Sequence, residues 1–427
     1  MTINKTIKHS YIYILGSGLQ ALAPFILIPV ITRNSSQATF GLLMSTIAIG
    51  TILSFAFSLG IPAVLTRDLI FEKDNSKEYK NLSSKFQSVL FWLSLLLILI
   101  NQLFMSNSNF KLFFFGISIA LSLSIIQIKL SILRAEFKSV IFAMLAVSST
   151  GLPLLAVSAA TLNSINNLLF VYAFVLISIT FILQFKDLFN VPRKIDLVAI
   201  NKIIVVGSPM IIHSVAISMF QYGDKLAGYF GLGSELAAEI AVLSLIMTLP
   251  MLLLSTINNA WLPSVLEQFH KNNESGFNYS NRISIRLSLL ITLFSLAIIT
   301  FSKLIVQTLA PTNYDLLGIQ KAIVIGVCLS PLYVLYLQNT HLITKDKKFK
   351  SLAKITPLAA LTQFVFTFIL VKQIGLISVA YGLIIAILIQ VALTSVAAGS
   401  FNKLNKSPIY LTIVLSGASI IYLNLFL

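Results

Sequence analysis

Charged residues are scarce in this sequence. Asp, Glu, Lys and Arg make up 10% of its 427 residues, 57% are hydrophobic, and the mean hydropathy is +0.92. Ordinary soluble domains contain roughly 25% charged residues. A chain of this size and composition could not cover its surface with polar groups in water. The composition therefore excludes a soluble protein and places the chain in a membrane.

Residues that carry redox or metal chemistry are also scarce. The single cysteine, Cys328, excludes an internal disulfide bond and a cysteine-based metal site. The four histidines lack the spacing of metal ligands, and no GxxxxGK[ST] phosphate-binding loop occurs. We therefore expect no metal site, no cofactor and no ATP hydrolysis of the phosphate-loop type.

Long apolar runs dominate what is present. They do not alternate as barrel strands do, and only helices satisfy their own backbone hydrogen bonds in hydrocarbon without closing a barrel. Each run is close to the roughly 20 residues that a helix needs to cross a bilayer. The sequence thus predicts an all-α polytopic membrane protein with thirteen spans, at 11–31, 40–65, 86–105, 112–128, 141–162, 167–183, 208–230, 236–262, 287–309, 322–342, 355–371, 376–398 and 409–427.

The basic residues are unevenly distributed among the gaps. If the N-terminus is cytoplasmic and each run crosses once, 24 of the 30 Lys and Arg residues fall on the cytoplasmic side. This asymmetry follows the positive-inside rule. It explains the net charge of +16 without a nucleic-acid partner, for which no basic groove with interleaved aromatic residues occurs. The opposite gaps are short, so they offer no catalytic loop for a polymerase, ligase or glycosyltransferase.

A polytopic chain with little outside the bilayer is typical of a secondary transporter, and such transporters are often built from repeated halves. Shifting the sequence by 191 residues aligns Gly16-Ser17 with Gly207-Ser208 and places Arg33 on Asp224. We predict four segments: an N-terminal six-helix lobe at 1–186, a cytoplasmic linker at 187–202, a C-terminal six-helix lobe at 203–400 and an additional transmembrane helix at 401–427.

An acid and a base stand side by side in the seventh run, at Asp224 and Lys225. With a helix from Pro209 to a glycine turn at 231–233, Asp224 lies about 10 Å short of the turn, still within the hydrocarbon. An ionised side chain at that depth faces a wet cavity or a partner. Two interpretations remain open, a polar face that lines a cavity and a local ion pair.

Two further polar residues lie on the same predicted helix. At 100° per residue, His213 and Asp224 share one stripe, and Gln221 lies one turn before both Asp224 and Lys225. His213, Gln221, Asp224 and Lys225 are therefore candidate cavity residues. The alternative for His213 is a buried imidazole that bonds to a neighbouring helix.

The segment 223–269 resembles the polysaccharide flippases of the Wzx type, in the multidrug/oligosaccharidyl-lipid/polysaccharide exporter superfamily. The resemblance rests on Asp224-Lys225, on the turn Gly231-Leu232-Gly233 and on the sequence NNAWLP at the end of the next apolar run, 258–263. In the N-terminal half it rests on Pro29, Thr32-Arg33, Phe40-Gly41, Leu59-Gly60 and Arg67. Two features depart from the family: Ala238-Glu239-Ile240-Ala241 stands where a Gly-x-Tyr-Ser element is usual, and the thirteenth run is additional.

The resemblance implies two six-helix lobes in an inverted V, in the bacterial inner membrane. It also implies a non-enzymatic flippase for undecaprenyl-pyrophosphate-linked oligosaccharide of O-antigen or capsule type, driven by alternating access and coupled to an ion. Membrane lipids, a polysaccharide polymerase and a chain-length regulator are its implied partners. Arg33, Arg67 and Lys225 are the candidate cationic contacts for phosphate; for Arg67 the alternative is a topology signal.

Two rival transporters share the implied fold. One is a flippase of the lipid II type. The other is a cation-coupled multidrug extruder, which would favour acidic cavity residues: Asp224, Glu235, Glu239 and Asp315. A membrane scaffold without transport activity is the alternative from another class. For Trp261 we expect an anchor at the membrane interface rather than a sugar contact.

Overall fold

Helices form nearly all of the computed structural model, which describes residues 3–62, 76–104, 108–160, 165–185, 197–399 and 404–426. Within these ranges no residue lies in a β-strand. The chain divides into two compact units, Met1–Ser218 and Met219–Leu427. The all-helical fold class expected from the sequence is confirmed.

Six helices and most of a seventh belong to the first unit. They are α1 Ile3–Asn34, α2 Gln37–Phe57, α3 Ser76–Phe104, α4 Ser108–Ala135, α5 Ser139–Ala159 and α6 Ile165–Gln184, followed by α7 Leu197–Leu232, which continues into the second unit.

The second unit contains the end of α7 and nine further helices. These are α8 Ser234–Met247, α9 Leu249–Lys271, α10 Asn273–Thr300, α11 Ser302–Leu309, α12 Leu316–Gly326, α13 Ser330–Lys345, α14 Phe349–Ile374, α15 Ile377–Ala398 and α16 Ser407–Phe426. A 3₁₀ turn, Val327–Leu329, joins α12 to α13.

Eleven spans in the described part of the chain are long and apolar enough to cross a membrane, or up to twelve when α8 and the first half of α9 count as one bent span. With the bent pair counted as one span, these twelve spans match twelve of the thirteen predicted runs. The remaining run, 208–230, is helical throughout as part of α7. Its described portion contains His213, Gln221, Asp224 and Lys225, which lower its mean hydropathy, and it is not among the eleven.

Helix α7 begins earlier than the sequence predicts. We expected a start at Pro209, whereas the backbone is helical from Leu197. A proline removes one backbone hydrogen bond but does not end a membrane helix whose other residues continue the pattern. The end is as predicted: the helix stops at Leu232, and Gly233 has φ 98°, a conformation that favours glycine.

In the first unit α4 is the central helix, in contact with α2, α3, α5 and α6. Ser94 of α3 lies 3.0 Å from the hydroxyls of both Ser118 and Ser122 of α4. The hydroxyl of Ser124 and the amide of Gln127 each donate to Ser54 at 2.8 Å, which ties α4 to α2. Neutral hydroxyl and amide groups thus hold the first unit together across its helices.

In the second unit α13 is the central helix, as α4 is in the first. Gln338 accepts from Ser284 of α10 at 2.9 Å, and Asn339 donates to Ser395 of α15 at 2.8 Å. The Nε2 atom of His341 lies 2.7 Å from Oδ1 of Asn258 on α9. Each of these buried polar side chains on α13 therefore binds a different neighbouring helix.

Helix α16, which contains the predicted thirteenth run, packs onto the second unit against α10, α12 and α13. Its buried residues, Pro408, Thr412, Leu415 and Ser419, form one stripe at helical spacing. Ser419 accepts from the thiol of Cys328 at 2.8 Å. The additional helix is thus part of the second unit rather than a separate appendage.

A bend of 48° separates α8 from α9 at Thr248. Pro250 lies in the first turn of α9 and lacks the N–H that would continue the hydrogen-bond ladder of α8. The bend therefore has a local cause in the sequence, and it lies one turn beyond Ser244.

Candidate functional site

The acid and the base of α7 lie inside the second unit. Asp224 is 2% exposed and Lys225 is 5% exposed. Adjacent residues of a helix do not ordinarily face each other, yet Nζ of Lys225 folds back to 3.1 Å from Oδ1 of Asp224. The same oxygen accepts the backbone N–H of Lys225 at 2.8 Å. The local ion pair that the sequence allowed is therefore present.

Both members of the pair have further partners. The hydroxyl of Ser244, on α8, donates to Oδ2 of Asp224. The ammonium of Lys225 donates to the backbone carbonyl of Gln221 at 3.3 Å and lies 5.3 Å from the centre of the Tyr222 ring. The carboxylate thus has partners on both oxygens, and the ammonium is surrounded by a carboxylate, a carbonyl and an aromatic face. These contacts offset the large desolvation cost of burying two charges.

Small residues on α8 allow this approach. Ala237, Ala241 and Ser244 lie on one stripe of α8 at helical spacing, and all three are buried. On the facing part of α7, a side chain at Gly228 would collide with Ile240. Close packing of the two helices brings the Ser244 hydroxyl to the carboxylate.

The sequence interpretation missed Ser244 and Tyr222. The stripe of small residues on α8 was a usable signal, because such stripes mark close helix contacts in membranes. The direction of that stripe was not evident, since it depends on how α8 turns after Gly233.

The other predicted site residues are placed differently. Gln221 is half-buried and takes part through its carbonyl. His213 is half-buried on α7 and interacts with another group. Arg33, in the last turn of α1, is exposed and donates to the carbonyl of Pro29 at 2.9 Å. Arg67 lies outside the described residues. Of the six predicted residues, the structure therefore brings together Gln221, Asp224 and Lys225.

Trp261 is buried inside the protein, whereas we expected a side chain that faces the membrane interface. Its side chain is 4% exposed and packs edge-on against the His341 ring, with ring centres 4.5 Å apart. Bonding between α9 and α13 explains this burial, because Asn258 and Trp261 lie one turn apart on α9 and both contact His341. The indole is part of the core of the second unit.

Acidic residues elsewhere in the second unit have structural partners. Glu239 accepts the backbone N–H of Asp315 at 2.9 Å, and Asp315 caps α12 by accepting from Gly318 at 2.9 Å. Burial raises the pKa of Tyr314, the residue before Asp315, and the charge of Glu239 raises that pKa further. Among the described residues, no group of three or more His, Cys, Asp or Glu side chains could hold a metal ion.

Solved structures with a similar fold are transporters. One is the inward-facing conformation of a multidrug resistance MATE family transporter of the MOP superfamily, with a TM-score of 0.64, 14% identity and 96% coverage of both chains. Another is the outward-facing conformation of such a transporter, with a TM-score of 0.58, 14% identity and coverage of 99% of this chain and 96% of the other. The chain has the fold of the MATE transporters.

A third similar structure is a MOP superfamily transporter from Pyrococcus furiosus, described by the phrase "reverse polarity of binding pocket suggests different function". It has a TM-score of 0.59 and 14% identity, and covers 93% of this chain and 96% of its own length. No protein-family model and no curated protein sequence matches the chain. The similarity therefore concerns the fold.

Proposed function

We propose that this protein is a flippase. It moves undecaprenyl-pyrophosphate-linked oligosaccharide repeat units, of O-antigen or capsule type, across the bacterial inner membrane by alternating access coupled to an ion. The observation that carries the proposal is the buried lysine of α7: Lys225 is held by Asp224 at 3.1 Å, at the position where the flippase resemblance has a basic residue. The MATE fold of the chain supports alternating access.

The chemistry of the substrate explains the need for such a lysine. A pyrophosphate carries two negative charges, and an ammonium is a strong partner for it in a low-dielectric site. In the described arrangement the Lys225 ammonium already contacts Asp224, the Gln221 carbonyl and the Tyr222 ring. Binding of phosphate therefore exchanges Asp224 for the ligand, while Ser244 continues to hold the carboxylate.

A multidrug extruder of the same fold is less well supported. A cationic drug requires an acidic group without a fixed cation. Asp224 has Lys225 beside it, Glu239 binds a backbone N–H, Asp315 caps a helix, and Glu235 is exposed. Among the described residues, Asp224 and Lys225 are the buried charged side chains, and they compensate each other.

The proposed orientation follows the distribution of basic residues, with the N-terminus in the cytoplasm. Under this proposal a polysaccharide polymerase receives the flipped repeat unit, and a chain-length regulator is an accompanying partner. Reporter fusions test the orientation. A periplasmic phosphatase joined after residue 427 should be active, and one joined near residue 403 should be inactive; cytoplasmic signals at both positions contradict it.

A deletion strain tests the function. Loss of the protein should cause polyprenyl-linked oligosaccharide to accumulate and abolish surface glycan, and the wild-type gene should restore both. Lys225→Gln, which keeps a long polar side chain but removes the charge, should fail to restore them at normal protein level. Lys372→Gln is the matched control. Lys372, like Lys225, is not among the 24 basic residues assigned to the cytoplasmic side, but its side chain is exposed. Normal lipid-linked intermediates in the deletion strain, together with sensitivity to cationic dyes, would favour the extruder.

A further inference from the structure

A second polar cluster lies in the second unit, apart from the ion pair, and consists of Asn258, Trp261 and His341. His341 is 1% exposed and Trp261 is 4% exposed, whereas Asn258 is half-buried. Nε2 of His341 lies 2.7 Å from Oδ1 of Asn258, and the Trp261 ring packs edge-on against the imidazole. The cluster thus has two buried aromatic rings behind one partly accessible amide.

The imidazole fixes the direction of that amide. With Oδ1 of Asn258 placed toward the imidazole, the tautomer that fits this contact carries its proton on Nε2 of His341 and donates it to the amide oxygen. The amide nitrogen of Asn258 must then point away from His341. Its two N–H groups donate to no group within the part of the chain that the structure describes. Asn258 is therefore an oriented donor at a partly accessible position.

The rings behind Asn258 also retain hydrogen-bonding capacity. Within the described residues, neither Nε1 of Trp261 nor Nδ1 of His341 has a hydrogen-bond partner, although both atoms are buried. Buried polar groups in native proteins are nearly always satisfied, so such atoms call for an explanation. Two of the other polar side chains of α13, Gln338 and Asn339, bond to neighbouring helices instead.

The surroundings of the cluster favour a neutral ligand. Lys345 is the closest basic residue along α13, one turn after His341. Its ammonium binds Asn273 at 2.7 Å and lies 4.7 Å from the centre of the Phe269 ring. Because the ammonium of Lys345 already has these partners, the Asn258 amide is suited to hydroxyl and carbonyl oxygens rather than to phosphate.

We propose that Asn258, oriented by His341 and Trp261, is a subsite for the neutral hydroxyl groups of the oligosaccharide. This inference rests on the proposed function and extends it. Ser244, which holds the ion pair, and Asn258 lie on the same bent pair of helices, about 20 Å apart along the helix path. In this arrangement Lys225 binds the charged end of the substrate, and Asn258 binds its glycan. His341 is a positioning residue.

The test uses Trp261 as its reporter. The sequence contains two tryptophans, Trp92 and Trp261, and Trp92 is 42% exposed on α3. In full-length Trp92→Phe protein in lipid nanodiscs, emission therefore comes from Trp261. Two probes are titrated: undecaprenyl pyrophosphate without sugar, and the lipid-linked oligosaccharide pool extracted from the source bacterium. Asn258→Ala should weaken binding of the glycan-bearing probe about tenfold and change binding of the sugar-free probe less than about twofold.

Two further variants separate ligand binding from helix packing. Asn258→Asp keeps the oxygen that accepts from His341 and removes both N–H donors, so it should lose glycan binding even if Asn258→Ala does not fold. Ser255→Ala is the matched control, because the Ser255 hydroxyl bonds to its own helix at Leu252, 2.8 Å away. It should bind both probes as the parent does.

The outcomes distinguish this inference from the proposed function. If Asn258→Ala and Asn258→Asp leave the affinity for the glycan-bearing probe unchanged, or weaken both probes equally, the subsite is wrong while the flippase stands. If the Trp92→Phe parent binds neither probe, the flippase proposal fails and the subsite fails with it.

Discussion

The two units of this protein have similar packing plans but bury different chemistry. In the first, α4 is bonded to its neighbours through neutral serine and glutamine side chains, including the contact of Ser94 with Ser118 and Ser122 at 3.0 Å. In the second, α13 is bonded in the same manner through Gln338 and Asn339. Only the second unit, among the described residues, adds a buried ion pair and a buried imidazole.

This difference separates packing from function. Neutral hydroxyl pairs between membrane helices contribute only about 0.6 kcal/mol each and serve to align helices. A charged side chain at the bilayer centre costs roughly 2.5–3.5 kcal/mol on insertion scales, so one persists where function requires it. Asp224 and Lys225 were not needed to build a six-helix unit, since the described part of the first unit buries no charged side chain. Under our proposal, substrate recognition therefore belongs to the second unit.

The largest effect should come from removing one member of the ion pair. Asp224→Ala leaves the buried ammonium of Lys225 without its carboxylate. Removing one partner of a buried ion pair typically lowers the free energy of unfolding by about 3–5 kcal/mol. We expect a large decrease in the thermal unfolding temperature of the purified protein in detergent. The double variant Asp224→Leu with Lys225→Met should recover much of the loss, because an apolar pair of similar size carries no buried charge. Equal unfolding temperatures for Asp224→Ala and wild type would contradict a buried pair.

An intermediate effect is expected at Ser244. Ser244→Ala removes the hydroxyl that donates to Oδ2 of Asp224, and a hydrogen bond to a charged group contributes about 1.5–3 kcal/mol. Chemical denaturation should show this loss, while Ser255→Ala, whose hydroxyl bonds within its own helix, should change stability by less than about 0.5 kcal/mol. Identical curves for the two variants would mean that Ser244 does not support the carboxylate.

The smallest effect should be found in the first unit. Ser94→Ala removes a neutral hydroxyl from the α3–α4 contact, while Ser118 can still donate to the Ser94 carbonyl at 3.0 Å. We expect a loss of about 0.6 kcal/mol and unchanged transport. A loss as large as that of Asp224→Ala would remove the contrast between the two units.

Much of the fold was predictable, because hydrocarbon imposes helices on any apolar run of sufficient length. Twelve of the thirteen predicted runs correspond to described spans, with the bent pair of α8 and α9 counted as one. Helix ends were less predictable. The sequence suggested a start for α7 at Pro209, whereas the chain is already helical at Leu197. Proline is a weaker stop signal in a membrane helix, where neighbouring groups compensate for its missing N–H.

The candidate site was predictable only where it is local in sequence. A local pairing of Asp224 with Lys225 could be considered from the sequence because the two residues are adjacent, although neighbours on a helix do not ordinarily face each other. Ser244 and His341 meet their partners through contacts between helices, which periodicity does not specify. Trp261 shows the same limit: its type suggested a membrane interface, but its contact with His341 places it in the core. That the site lines a transport cavity stays a prediction.

Direct transport in proteoliposomes tests whether Lys225 provides the positive charge for a pyrophosphate-linked glycan. The measurement is the fraction of extracted lipid-linked oligosaccharide that becomes accessible on the opposite leaflet, for wild type, Lys225→Gln and the exposed control Lys372→Gln. We expect transfer by wild type and Lys372→Gln, and no transfer above empty vesicles by Lys225→Gln inserted at equal amount. Full transfer by Lys225→Gln, or transport of a cationic dye but not of the lipid-linked glycan by wild type, would contradict this expectation.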